Sequence, residues 1–169
     1  KVPEITAEEL ATANGEGGEA NVATGWHAVE FLLWGQDLSA SGPGARPVTD
    51  YTTAKNADRR KAYLGAVTDL LVEHLNTVVD AWEPDVDDNY RAEFGASEPA
   101  DALIKMITGI GELSRGELAG ERMNTAYEER SQEDEHSCFS DNTSSDLIAN
   151  ALGIEQVWTG VYKSGGAGK

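Results

Sequence analysis

Gly25-Trp26-His27-Ala28-Val29-Glu30-Phe31-Leu32-Leu33-Trp34-Gly35 is the stretch on which the fold turns. Val22, Trp26, Val29 and Leu33 form one row at steps of three and four. Gly25, Ala28 and Leu32 form a second, and His27, Glu30, Phe31 and Trp34 a third. That period is helical. A helix apolar nearly all round belongs in the centre of a bundle. The reading predicts a helix from about Glu19 to Leu38, with one histidine and one glutamate set into its apolar surface.

Working outward, every other periodic segment is also helical. Thr6-Ala7-Glu8-Glu9 is a capping box that starts a short helix near Ala7, and Asn14-Gly15-Glu16-Gly17-Gly18 ends it as a flexible breaker. Asn56 or Asp58 caps a long helix ending at Trp82, with Tyr63, Val67, Leu70, Leu71, His74, Val78 and Ala81 on its inner face. Asp85 to Asn89 reads as an acidic turn. Ser97-Glu98-Pro99 starts another helix, with Leu103, Met106, Ile107, Ile110 and Leu113 inward. Gly109, Gly111, Gly116 and Gly120 then interrupt it, each at about 1 kcal/mol against Ala. They predict a kink or a close helix approach, with Ser114-Arg115-Gly116-Glu117 restarting a helix that runs to about Glu129. A last helix spans about Asp146 to Tyr162, with Leu147, Ala151, Ile154, Trp158 and Val161 inward. The four tryptophans, Trp26, Trp34, Trp82 and Trp158, read as core. The expected architecture is all-α: one helical-bundle domain over residues 1–169, with loops at 39–56 and 130–144 and a loose tail at 164–169.

The chain has 169 residues, 13 Lys plus Arg against 30 Asp plus Glu, and a net charge of −17. Nucleic acid is excluded as a partner, because phosphate contacts need clustered Lys and Arg. An anionic membrane surface is disfavoured for the same reason. Cation capture is compatible with this charge. A single cysteine, Cys138, excludes an internal disulfide framework and a Cys-rich metal site. No apolar run reaches the length of a membrane span. Lys1 opens directly on Val2-Pro3-Glu4-Ile5, which reads as a fragment of a longer chain.

His27 and Glu30 carry the sharpest chemical signal. At i and i+3 they share a helical face, and a carboxylate in that setting costs several kcal/mol unless it is paired or bound. The pair offers one nitrogen and one oxygen ligand to a metal. It also has a plainer reading, a buried hydrogen bond that fixes packing. Further ligands are sought in the polar segment Gln132 to Asn142, which holds Glu133, Asp134, Glu135, His136, Ser140 and Asp141. Cys138-Phe139 within it points to a loop that packs down. Arg122 is placed to clamp a carboxylate, because Leu118 and Ala126 fill the α-helical positions where an acidic partner would stand. His74 reads as a core or rim histidine. No Ser/His/Asp triad or phosphate-binding glycine loop is legible.

These blocks resemble a known family. Gly25-Trp26-His27-Ala28-Val29-Glu30 looks like the Gly-x-His-x-x-Glu signature of the imelysins. The stretch continues through Phe31 to Asp37. The segments Asn14–Thr24, Gly116–Met123 and Gln132–Thr143 are similar to the iron-regulated protein A branch. The resemblance covers about Pro3 to Tyr162. It departs after Asn142-Thr143, where the family commonly has His-Arg and this chain has Ser144-Ser145.

The resemblance implies an extracytoplasmic bacterial protein, periplasmic or at the outer membrane or cell surface, linked to iron uptake. It implies a part of a two-bundle architecture. It implies a metal ion, iron first with zinc as the alternative, or an iron-bearing ligand, held through His27, Glu30 and Asp141. Trp26, Asp37, Glu121, Arg122, Ser140 and Asn142 are the surrounding site residues carried over by the match. The expected partners are that ligand, a second copy or the remainder of the polypeptide, and membrane-associated uptake proteins. Two other classes stay open: a metallopeptidase, which the missing His-Glu-x-x-His spacing disfavours, and a structural or partner-binding bundle.

Overall fold

The computed structural model describes residues 4–18 and 21–162. These residues form helices, turns and loops, with no strand among them, so the protein is all-α as the periodicity predicts. The chain divides into two compact units, Lys1–Glu83 and Pro84–Lys169.

In the first unit, Thr6 caps α1 (Ala7–Ala13) by accepting from the Glu9 amide at 3.2 Å. The glycine segment after it is pinned rather than slack. Asn14 Oδ1 accepts from the Ala23 and Thr24 amides at 2.9 and 3.1 Å, and the Gly15 amide donates to the Asn21 carbonyl at 2.8 Å. The central helix α2 is Trp26–Trp34, shorter than the expected Glu19–Leu38. Gly25 and Gly35 bound it at φ of 88° and 76°, left-handed values at which an L side chain is strained. Glu19 and Ala20, the expected start, lie outside the described residues.

A 3-10 turn, Val48–Tyr51, interrupts the segment expected as a plain loop, and α3 follows as Ala57–Ala81. Asn56 occupies the position before α3 in left-handed geometry and gives no side-chain cap. The core is Leu10 from α1, Ala28 and Leu32 from α2, and Val67 from α3, with Ile5, Val29, Tyr63 and Leu64 against it. Val67 is wholly buried, worth about 2 kcal/mol. Covering α2 on every side proved an overestimate: Trp26, Phe31, Leu33 and Trp34 stay exposed. A nine-residue helix turns only about two and a half times. One row, Ala28 and Leu32, meets α3, and Glu30 is buried on another side. On α3, Val67 and Leu70 are buried as expected, while His74 and Val78 are exposed.

The second unit begins with α4 (Tyr90–Ala96), capped by Asn89 accepting from the Ala92 amide at 3.0 Å. The acidic turn before it hid this helix from periodicity analysis. Next comes α5 (Pro99–Gly111), with proline in its first turn. There is no restart at Ser114. The helix passes without a break into a π-helix, Glu112–Asn124, and on into α6 (Thr125–Glu129). Ser114 Oγ donates back to the Ile110 carbonyl at 2.6 Å instead of capping a new helix. Gly116 and Gly120 fall within this wider helical turn, while Gly109 and Gly111 sit in the last turn of α5. A run of π geometry this long is uncommon, and such turns gather at functional sites.

Arg130 ends α6 in left-handed geometry, and a 3-10 turn at Gln132–Asp134 leads to α7 (Thr143–Thr159). The helix α7 packs against α5 and the π-helix. Leu103, Met106 and Ile107, expected inward, are exposed, and so are Trp26, Trp82 and Trp158, expected in the core. The tail 164–169 lies outside the described residues. Among the described residues no helix is long and apolar enough to cross a membrane.

Candidate functional site

His27 and Glu30 meet as their spacing requires. His27 Nδ1 lies 2.8 Å from Glu30 Oε2. The carboxylate is the inner member, its side chain 10% exposed, and the imidazole the outer, at 42%. The hydrogen bond supplies the partner that a buried carboxylate needs.

The scaffold holds α2 at both ends. At its start, Tyr63 Oη donates to the Ala23 carbonyl at 2.8 Å, just ahead of Gly25. At its end, the carbonyls of the last turn take donors from the following loop, the Phe31 carbonyl in addition to the Gly35 amide it already accepts from at 2.8 Å. Arg46 Nη2 donates to the Phe31 carbonyl at 3.0 Å, Tyr51 Oη donates to the Leu32 carbonyl, and the Arg46 amide donates to the Trp34 carbonyl at 2.8 Å. The Arg46 guanidinium also lies over the Phe31 ring at 5.1 Å and pairs with Asp50 at 2.9 Å. The strand of loop carrying Arg46 passes so close to α2 that a Cβ at Gly44 would sit 2.6 Å from the Trp34 carbonyl oxygen. Burial pushes both tyrosine hydroxyls above the ordinary phenol value, with Arg46 and Arg60 partly opposing this at Tyr51. Both therefore remain donors. Asp37 is buried just beyond the helix and accepts from the Ser39 amide at 2.8 Å, closing the turn. Trp26 stands exposed at the front of α2.

The second unit contains a separate polar network. Arg122 Nη1 donates to Asn150 Oδ1 at 2.6 Å and Nη2 reaches Glu117 at 3.2 Å. Asn150 Nδ2 donates to the Asp146 carbonyl at 2.7 Å. The Asp146 carboxylate accepts from Asn142 Nδ2 at 2.7 Å and from the Ser137 hydroxyl, and the Ser137 amide donates to Thr143 Oγ1 at 3.1 Å. Leu113, Arg122, His136, Asp146 and Asn150 line a recess of about 370 Å³ above it.

Arg122 thus does have an acidic partner on its own helix, contrary to the α-spacing argument. Glu117 is five residues away, and a π turn brings i and i+5 into register. Of the residues carried over by resemblance, Asn142 and Arg122 enter this network. Ser140 is half-buried beside it, while Asp141, in left-handed geometry, and Glu121 are exposed. Asp146, Asn150 and Ser137 were missed. A signal for two of them stands in the sequence: Asn142, Asp146 and Asn150 recur at steps of four, one helical face.

As a donor set, a carboxylate holding one nitrogen of an imidazole is an arrangement metal sites use. In neither unit do three or more His, Cys, Asp or Glu side chains of the described residues form a group able to hold a metal ion. The pair therefore fits as one arm of a metal site. It does not reach the three or four protein ligands of a closed one. The Imelysin family model matches residues 1–168. The chain belongs to the imelysin family. His27 and Glu30 lie on α2, between its bounding glycines Gly25 and Gly35. No curated relative matches the chain.

Proposed function

We propose that this imelysin binds a metal ion, iron before zinc, or an iron-bearing ligand, and serves bacterial iron uptake outside the cytoplasm. The observation that supports it is the His27–Glu30 contact at 2.8 Å on a helix fastened at both ends. A fixed imidazole with a buried carboxylate behind it is a prepared nitrogen donor. The metal would bring charge to which a donor nitrogen is attracted. The chain's own part is to hold His27 in place against the buried side chain of Glu30. Asp141 and its neighbours enter as further ligands from the resemblance alone. Membrane-associated uptake proteins, a second copy, or the rest of a longer polypeptide are the proposed partners.

Metal analysis of protein purified from its natural host tests the reading. Iron near one equivalent, lost in a His27→Ala variant, is the expected result. Metal-free protein that also fails to take up ferrous, ferric or zinc ions would defeat it.

A further inference from the structure

No residue on the helices of the second unit is buried: α4, α5, the π-helix, α6 and α7 all leave their apolar side chains partly open. On α5 the exposure gathers on one side. Ile107 stands four residues from Leu103 and three from Ile104, and all three are exposed, Ile104 at 62%. Just beyond them, Thr108, Gly111, Glu112, Arg115, Gly116 and Gly120 line an open groove of about 520 Å³ along the same rod. We propose that this face pairs with the same face of a second copy of the chain, antiparallel, about a two-fold axis midway between Glu112 and Arg115. The proposal gives a place to the second copy named among the partners above and rests on none of the metal chemistry.

The charges select the occupant. Among the described residues, neither the Glu112 nor the Arg115 side chain has an ion pair or a hydrogen bond. A two-fold axis between them sets Glu112 of each copy opposite Arg115 of the other, so one contact is made twice. The same rotation brings Gly111 against Gly116 of the second copy and Ile107 near its Gly120. The apolar ridge of each copy then enters the groove of the other. A face that completes itself under one rotation fits a second copy better than an unrelated chain. Charge elsewhere agrees. With 30 acidic residues and a net charge of −17, two copies repel over most of their surface. From Ala102 to Gly111 there is no acidic residue. The one base in that stretch, Lys105, lies over the Tyr90 ring at 6.0 Å. Removing Leu103, Ile104 and Ile107 of both copies from water supplies the apolar drive.

Sedimentation velocity of the full chain over a range of concentrations tests the pairing, with circular dichroism reporting the fold of each variant. The mass should rise from 18.1 kDa toward twice that value. Glu112→Arg and Arg115→Glu, each alone, set like charges opposite one another at both symmetric contacts and should weaken pairing at least about tenfold. Together they reverse both pairs and should restore pairing to within about threefold of wild type. Gly111→Leu obstructs the groove. A Cβ at Gly111 meets nothing within 4 Å and its backbone is already α-helical, so this variant should keep its helicity and lose pairing.

A chain monomeric at every concentration would overturn the proposal. So would pairing that ignores the single reversals or Gly111→Leu, or a double variant that does not recover. If a single reversal fails to fold, the double variant and Gly111→Leu still decide. Zinc and ferrous ion titrated into the same samples read the proposed function separately. Pairing without metal uptake defeats that function alone, and uptake by a chain that never pairs defeats this proposal alone.

Discussion

The two units solve the same problem, fixing polar side chains on a helix, by different means. In the first, the polar pair is local. His27 and Glu30 are three residues apart on an ordinary α-helix, and the effort goes into fastening the helix itself through Gly44, Arg46, Tyr51 and Tyr63. In the second, the helix is the unusual part. The π turn puts Glu117 and Arg122 in register, and the network then runs through Asn150 and Asp146 to the Ser137 loop. The difference teaches that a site on standard geometry is stabilised from outside, whereas a site on widened geometry carries its stabilisation within its own side chains.

Four substitutions press on that contrast. The largest effect should come from Gly44→Ala, which forces a methyl against the Trp34 and Gly35 carbonyls at 2.6 and 2.8 Å. A loss of about 3 kcal/mol is expected, read by urea denaturation, with weaker metal binding because α2 shifts. An unchanged midpoint would show that the loop does not hold the helix.

Asp146→Ala should come next. It strips the Ser137 hydroxyl and the Asn142 amide of their acceptor, at about 2 kcal/mol. Hydrogen exchange should rise at residues 132–143 and stay the same in α2. Faster exchange in α2 as well would dissolve the distinction between the units.

Tyr51→Phe should cost about 1 kcal/mol. The same bond gives a pH signature. Both tyrosines have folded values raised by burial, so their contribution is complete below the unfolded value of about 10. It should fade as pH rises through the higher folded values. Stability flat from pH 7 to about 10 and falling beyond is expected in wild type, with a shallower fall in Tyr51→Phe. Identical alkaline profiles would remove Tyr51 from the clamp.

The smallest effect belongs to Glu117→Gln. Its half-exposed pair with Arg122 is worth about 0.5 kcal/mol. Moving the carboxylate to the α-spaced position, with Glu117→Gln and Leu118→Glu together, should not restore it while the π turn persists. Recovery of stability in the double variant would mean that the segment relaxes to α geometry.

The fold class and the His27–Glu30 contact were legible because both rest on short-range rules. The N-cap at Thr6, the i, i+3 pair and the all-helical period are local and hold in the structure. The extent of α2 was misjudged because apolar content says nothing of where a positive-φ glycine will stop a helix. The partners of Arg122 were missed because residues were aligned with α spacing, and only the folded helix reveals a step of five. Arg46 and Tyr51 act on carbonyls 15 and 19 residues away, and no pattern in the sequence marks a side chain that will close such a loop. Asn142, Asp146 and Asn150 did show a pattern, a polar face on α7 overlooked in favour of its apolar one.

The claim on which the account depends is that His27 is the donor on which metal capture turns. Isothermal titration of the full chain and of His27→Ala with ferrous, ferric and zinc ions measures it directly, with circular dichroism confirming that both are folded. The account predicts binding of at least one of these ions by the wild type and a loss of orders of magnitude in the variant at unchanged helicity. Equal affinities in the two proteins would contradict it.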